Sequence, residues 1–218
     1  MILAAGQGRR LAPLTDQTPK PLLPIAGEPL LIRQIQQLRA AGITDLVINL
    51  YHLGEQIEAA LGDGSELGVT IRYSRESQLL DTGGGIVQAL SMLGDEPFVL
   101  LNGDILTDFP ISSLPRQLDA NTLAHLLLTT KPQSRESGDF IVNDGRVVSR
   151  GDDWVYCGIA LIHPRLFLGA PTGPFSLRDL YFAALASNQL SAQIHKGHWT
   201  DIGSLAEYAA VQDVGIEN

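Results

Sequence analysis

Leu3-Ala4-Ala5-Gly6-Gln7-Gly8-Arg9-Arg10-Leu11-Ala12-Pro13-Leu14-Thr15, with Thr18-Pro19-Lys20-Pro21 close behind, is the stretch on which the reading of this chain turns. A short apolar strand runs into a glycine-rich loop, and an arginine and a lysine follow. Those are the parts needed to hold phosphate groups. Gly6 and Gly8 let the backbone approach a ligand where a Cβ would collide, so that N–H groups can point at phosphate oxygens. Arg10 and Lys20 add positive charge. Two glycines alone fit any tight turn; Arg10, Pro13 and Pro19-Lys20-Pro21 at fixed offsets favour the phosphate-binding reading.

Outward from this loop, apolar periodicity alternates between the two regular structures. Ile2 and Leu3 open a strand cut short at Met1, so either the start lies upstream or the first strand is stunted. A helix is expected over about 29–41, where Leu30, Leu31, Ile35 and Leu38 make one stripe and Gly42 ends it. A strand over 46–48, a helix over 53–61, a strand over 69–73, a helix over 83–93 and a strand over 98–101 follow. Strand–helix alternation of this kind predicts an α/β fold, a Rossmann-like doubly wound, mainly parallel sheet. After Asp104 the texture becomes β-rich, with strands over 123–129 and around Leu161 and Ile162, and a hairpin at Asn143-Asp144-Gly145. A helix over 177–186, a strand near Ile194 and a helix over 204–211 close the pattern.

The 218 residues are 44% hydrophobic and 18% charged, which suits one well-filled globular domain. Fifteen basic against 24 acidic residues leave a net charge of −9, which argues against a nucleic-acid surface and for small partners. No apolar run reaches the length of a membrane span and no signal peptide is visible, so a cytoplasmic protein is expected. The single cysteine, Cys157, excludes an internal disulfide and a cysteine-based zinc cluster, and its apolar neighbours place it on a buried strand. His195 and His198 would point to opposite faces of a strand, against a zinc site.

In open parallel sheets ligands gather at the carboxyl ends of the strands. Phe98-Val99-Leu100-Leu101-Asn102-Gly103-Asp104 is an apolar strand that stops at a carboxylate, so Asp104 emerges at the rim, where it suits a metal ligand.

The pattern Leu-Ala-Ala-Gly-x-Gly-x-Arg, then Pro13-Leu14-Thr15 and Thr18-Pro19-Lys20-Pro21, resembles the signature of the sugar-1-phosphate nucleotidyltransferases. Asp81-Thr82-Gly83-Gly84-Gly85, Asn102-Gly103-Asp104, Gly138-Asp139-Phe140 and Gly197-His198-Trp199-Thr200-Asp201-Ile202-Gly203 extend the resemblance along the chain. Within the family the sequence is most similar to the short bacterial N-acetylmuramate α-1-phosphate uridylyltransferases. The resemblance implies a nucleotide-diphospho-sugar transferase fold: a single domain over 1–218, with a nucleotide-binding half, 1–108, and a β-rich sugar-phosphate-binding half, 109–218. It also implies a reaction, in which magnesium (Mg2+) assists a nucleoside triphosphate, UTP by preference, to join a sugar 1-phosphate with loss of pyrophosphate. The product is a nucleotide sugar for cell-wall recycling. A phosphate monoester arrives mostly as a dianion, so no protein base is required.

By the same resemblance, Leu3, Ala4, Ala5, Gly6, Gly8, Arg10, Gln78, Gly83 and Asn102 meet the nucleotide, and Lys20, Gly138 and Asp139 meet the sugar phosphate. Arg10 and Lys20 act in catalysis, and Asp201 joins Asp104 on the metal. The glycines at 83–85 would let a flat base approach and an N–H meet its carbonyl; a close helix crossing is the alternative. Gln78 stands where relatives often carry glutamate, which leaves base selectivity open. Thymidylyl transfer to glucose 1-phosphate, guanylyl transfer to mannose 1-phosphate and cytidylyl transfer to phosphocholine remain alternatives. A silent nucleotide-sugar sensor should have lost a cation or a carboxylate, and none of Arg10, Lys20, Asp104 and Asp201 is missing. A dinucleotide-dependent oxidoreductase is disfavoured by Leu11, which stands where a third small residue belongs.

Overall fold

The computed structural model describes residues 1–132 and 135–212. In chain order, β1 (Ile2–Leu3) leads to α1 (Leu14–Gln17), the paired β2 (Pro24–Ile25) and β3 (Glu28–Pro29), then α2 (Leu30–Ala40), β4 (Asp45–Leu50), α3 (Gly54–Leu61) and β5 (Thr70–Arg75). Next come α4 (Asp81–Leu93), β6 (Phe98–Asn102), β7 (Ile105–Thr107), β8 (Ala124–Thr130), β9 (Phe140–Asn143), β10 (Arg146–Arg150) and β11 (Trp154–Ile162). The remaining elements are α5 (Leu177–Ala186), β12 (Leu190–His195), β13 (Trp199–Asp201) and α6 (Leu205–Ala210). Contacts group the chain into two units: Met1–Leu79 with Asn102–Ser113 and His198 onward, and Leu80–Leu101 with Leu114–Gly197. The chain crosses between them four times, where the sequence reading drew one boundary near residue 108.

In the first unit β1, β4 and β5 run parallel, with Ile2 opposite Ile48 and Leu46 opposite Ile71. Leu46, Val47, Ile48 and Leu50 are all buried, the near-continuous apolar run expected of a parallel strand covered on both faces. α2 buries Leu30, Leu31, Ile35 and Leu38, each contributing about 1.5–3 kcal/mol by leaving water. Pro29 precedes this helix instead of opening it, because it pairs with Pro24 in β2. β7 and β13 form a further antiparallel pair, with Asp201 opposite Ile105.

The second unit is mixed. β11 runs antiparallel to β6 and β8, β12 parallel to β8, and β10 antiparallel to β12 and β9. Asp144 and Gly145 join β9 to β10 at φ 46° and 73°, both positive as a two-residue type I′ turn demands. Cys157 lies buried on β11, and burial pushes its thiol up, out of reach of a thiolate. Among the described residues no helix is long and apolar enough to cross a membrane.

Candidate active site

A buried polar relay anchors the end of β1. The Ala4 N–H donates to Asn49 Oδ1 at 2.8 Å, and Asn49 Nδ2 donates to Glu76 Oε1 at 2.7 Å. Ala4 and Ala5 are buried, so they floor the loop, and the Ala4 amide is already engaged. Gly6 is exposed, with open space where a Cβ would go. Gly8 differs: its φ is +62°, and a Cβ would lie 2.8 Å from Thr15 Cγ2 and 3.2 Å from Lys20 Cβ. Its carbonyl accepts from Leu11 N–H at 2.8 Å and from Thr15 Oγ1 at 3.0 Å. The tight turn Arg9–Leu11 thereby buries Leu11 and leaves Arg9 and Arg10 exposed.

Asp104 is brought to this loop by Gly103, whose N–H donates to Leu3 O at 2.8 Å. A Cβ at Gly103 would stand 2.6 Å from that same backbone oxygen, so only glycine allows the approach. The pairing of β7 with β13 supplies the second carboxylate, since the Ile202 N–H donates to Asp104 O at 2.9 Å. Lys20 Nζ reaches Asp104 Oδ2 at 2.6 Å, its side chain 11% exposed against 33% for the aspartate. Arg10 borders Asp201: a Cβ on Gly203 would lie 2.6 Å from Arg10 Nη2 and 2.9 Å from Asp201 Oδ1. Burial first and the Asp104 charge second hold the Asp201 carboxyl above its usual range, against the pull of Lys20 and Arg10.

Two neighbouring partly buried acids, with two cations beside them, can share a further cation. Among the described residues no group of three or more His, Cys, Asp or Glu could hold a metal. Two carboxylates suffice for magnesium, which commonly completes its octahedron with waters and substrate phosphates. The donor set fits that ion and suits neither zinc nor a calcium cage.

The other expected residues lie as follows. Gln78 is exposed, and the Asn102 carbonyl accepts from Gln34 Nε2 at 3.0 Å. In the second unit the Gly83 and Gly84 amides donate to Phe175 O at 2.9 and 3.3 Å. Added Cβ atoms would lie 2.3 Å from Phe175 Cε2 and 2.3 Å from Gly173 O. Close packing, the alternative held open for the glycines at 83–85, is therefore present at Gly83 and Gly84, and the Gly83 and Gly84 amides are both engaged by Phe175 O. The Gly138 N–H donates to Asp152 Oδ1 at 2.5 Å, and Asp139 Oδ2 accepts from the Tyr156 N–H at 2.9 Å.

Sequence reasoning missed the residues that hold the site together. Gln34 Nε2 clamps the turn before β7 by donating to Asn102 O and Ile105 O, at 3.0 and 2.9 Å. Nothing in the helical stripe marks it. Ser204-x-x-Glu207 did carry a readable signal, the capping-box spacing: the Glu207 N–H donates to the N-cap Ser204 Oγ, while Glu207 Oε2 reaches one residue further back and accepts from the Gly203 N–H at 2.9 Å.

Residues 1–140 match the family model described as Nucleotidyl transferase. The chain is 42% identical to the N-acetylmuramate alpha-1-phosphate uridylyltransferase of Neisseria meningitidis serogroup B, over 97% of this chain and 96% of that protein. The protein of the same name from Caulobacter vibrioides is 31% identical over 93% of this chain and 90% of its own length. A mannose-1-phosphate guanyltransferase of Hypocrea jecorina is 30% identical over 95% of this chain, which covers 61% of that protein. Among solved structures, one from Bacillus anthracis, assigned as a glucose-1-phosphate thymidylyltransferase and holding sucrose, has a TM-score of 0.84 at 21% identity, over 100% of this chain and 96% of that one. HddC from Yersinia pseudotuberculosis gives 0.79 at 23% identity, over 97% and 96%. These likenesses bear out the expected α/β architecture, a nucleotide-diphospho-sugar transferase fold with a mixed sheet. With the model match spanning most of the chain and relatives aligned along nearly all of it, the chain belongs to the nucleotidyl transferase family.

Proposed function

We infer that the protein is a magnesium-dependent, cytoplasmic uridylyltransferase that joins UTP to N-acetylmuramate α-1-phosphate, releases pyrophosphate and makes a nucleotide sugar for cell-wall recycling. The carrying observation is the meeting of Arg10, Lys20, Asp104 and Asp201 beside the Gly6–Gly8 loop. Support for the substrates comes from 42% identity to a uridylyltransferase across nearly the whole of both chains.

Asp104 and Asp201 would hold the ion, whose charge, when bound, offsets the repulsion between the α-phosphate and the incoming sugar phosphate. Arg10, exposed behind the loop, is the guanidinium for the departing β and γ phosphates, where negative charge builds. Lys20 rests on Asp104 in the free protein and serves as the cation for the α-phosphate or the sugar phosphate. Gly6 leaves its backbone bare on the loop's open side. No side chain has to remove a proton, because the attacking phosphate oxygen is already ionised.

Pyrophosphate release across a grid of nucleoside triphosphates and sugar 1-phosphates, with phosphocholine included, tests this reading. UTP with N-acetylmuramate 1-phosphate should be the fastest pair. A faster thymidylyl, guanylyl or cytidylyl pair overturns the substrate reading; no turnover with any pair makes the protein a sensor.

A further inference from the structure

The relay at the end of β1 reaches beyond that strand. β4 is apolar at Leu46, Val47, Ile48 and Leu50, yet it places Asn49, 3% exposed, opposite Leu3. Glu76, 8% exposed, follows β5 directly, and its N–H donates to Leu50 O at 2.8 Å. A backbone N–H can only donate, so Asn49 must turn Oδ1 to Ala4 and Nδ2 to Glu76 Oε1, at 2.8 and 2.7 Å. The relay therefore has a fixed polarity. Burying an amide and a carboxyl group is unfavourable unless both are bonded, and an apolar pair would fill the same space without that penalty.

The peptide group between Leu3 and Ala4 is gripped at both of its polar atoms. Its N–H goes to Asn49, and its carbonyl accepts from the Gly103 N–H at 2.8 Å. Past Ala4 the chain enters the Gly6–Gly8 loop, and past Gly103 it reaches Asp104. All of these residues belong to the first unit. A peptide plane free to tilt would carry the loop out of alignment with the carboxylate. We propose that Asn49 and Glu76 are positioning residues, which fix the Leu3–Ala4 peptide plane and so keep the phosphate loop in register with Asp104 during nucleotidyl transfer. The proposal rests on the reading of the loop as the phosphate seat and of Asp104 as a metal ligand. A misplacement of roughly 1 Å at reacting groups can cost up to about a hundredfold in rate while the fold survives.

A polarity swap tests it. Asn49→Asp keeps an acceptor for the Ala4 N–H but sets a second oxygen against Glu76 Oε1. Adding Glu76→Gln gives that oxygen a donor, restoring the relay with its second bond reversed and the formal charge of the pair unchanged. The readout is kcat from pyrophosphate release, with the nucleotide and sugar phosphate that wild type turns over fastest, measured well below each variant's melting temperature so that folded enzyme is compared. Asn49→Asp should lower kcat at least about tenfold, and the double variant should return to within about threefold of wild type. A brace that only stabilises the fold would move the melting temperature and leave kcat alone. Wild-type kcat in folded Asn49→Asp, or a double variant no faster than the single one, overturns the proposal and leaves the proposed activity intact. A wild type that turns over no pair overturns that activity, and the proposal with it. Should Asn49→Asp fail to fold, Glu76→Met decides: it leaves Asn49 bonded to Ala4 but unbraced, and kcat should fall about threefold or more, where a wild-type value overturns the proposal.

Discussion

Gly203→Ala should damage turnover while sparing the fold. The new methyl would stand 2.6 Å from Arg10 Nη2, where such contacts rest at about 3.5–4.0 Å, so the guanidinium must retreat by roughly 1 Å. It can do so because it ends a flexible side chain. Asp201 Oδ1, at 2.9 Å, gives way by less, and the Gly203 backbone lies outside the left-handed region that would penalise alanine. Displacing a charge-stabilising group by roughly 1 Å can cost up to about a hundredfold, so kcat should fall about ten- to hundredfold, roughly 1.4–2.7 kcal/mol of transition-state stabilisation. The melting temperature should move by no more than a few degrees. Gly103→Ala is the contrast, because its methyl would meet the Leu3 backbone oxygen at 2.6 Å, an atom that cannot swing aside. Stability should then drop by about 1–3 kcal/mol or more. Pyrophosphate release and thermal melts read both variants. Wild-type turnover in Gly203→Ala, or a loss of activity that only tracks a loss of melting temperature, refutes the placement of Arg10.

Lys20→Ala should lower kcat more than tenfold by removing a cation from the transferring phosphate; an effect on melting temperature alone would show that the Lys20–Asp104 pair is merely structural. Gly83→Ala should destabilise the second unit by about 1–3 kcal/mol, since its methyl has nowhere to go against Phe175. An unshifted denaturation midpoint there would refute the packing account of Gly83. His125 lies between Ser191 Oγ at 2.8 Å and Gln193 Oε1 at 3.0 Å, and burial lowers its pKa below the ordinary 6.5. The unfolded chain then binds the proton first, so this contribution to stability is whole above pH 6.5 and is lost as pH falls from that value through the lowered folded pKa. His125→Gln should flatten that part of the stability profile, and an unchanged profile would contradict the assignment.

Most residues of the candidate site could be picked out because they sit on a contiguous motif. The glycines of the opening loop, Arg10 and Lys20 lie within one short stretch, and Asp104 ends an apolar run that announces itself as a strand. The helices over 30–40 and 177–186 could be read from stripe and stop signals, and the Asp144-Gly145 turn from its residues. The juxtaposition of Asp104 with Asp201 could not be derived in that way. It depends on β7 and β13, three residues each, half of them polar and too short to show alternation; only family resemblance linked the two acids. The triple glycine left two readings open for a different reason. Glycine reports that something comes close, and here Phe175 and Gly173 are what comes close. The relay through Asn49 and Glu76 was silent because a buried amide and acid look, in sequence, like any polar interruption of a strand.

Binding of Mn2+ in the presence of UTP, followed by electron paramagnetic resonance, bears most directly on the proposed seat of the ion. Wild type should take up the ion, and Asp104→Asn and Asp201→Asn should each weaken uptake about tenfold or more with melting temperatures held. Uptake equal to wild type in both variants would contradict the account.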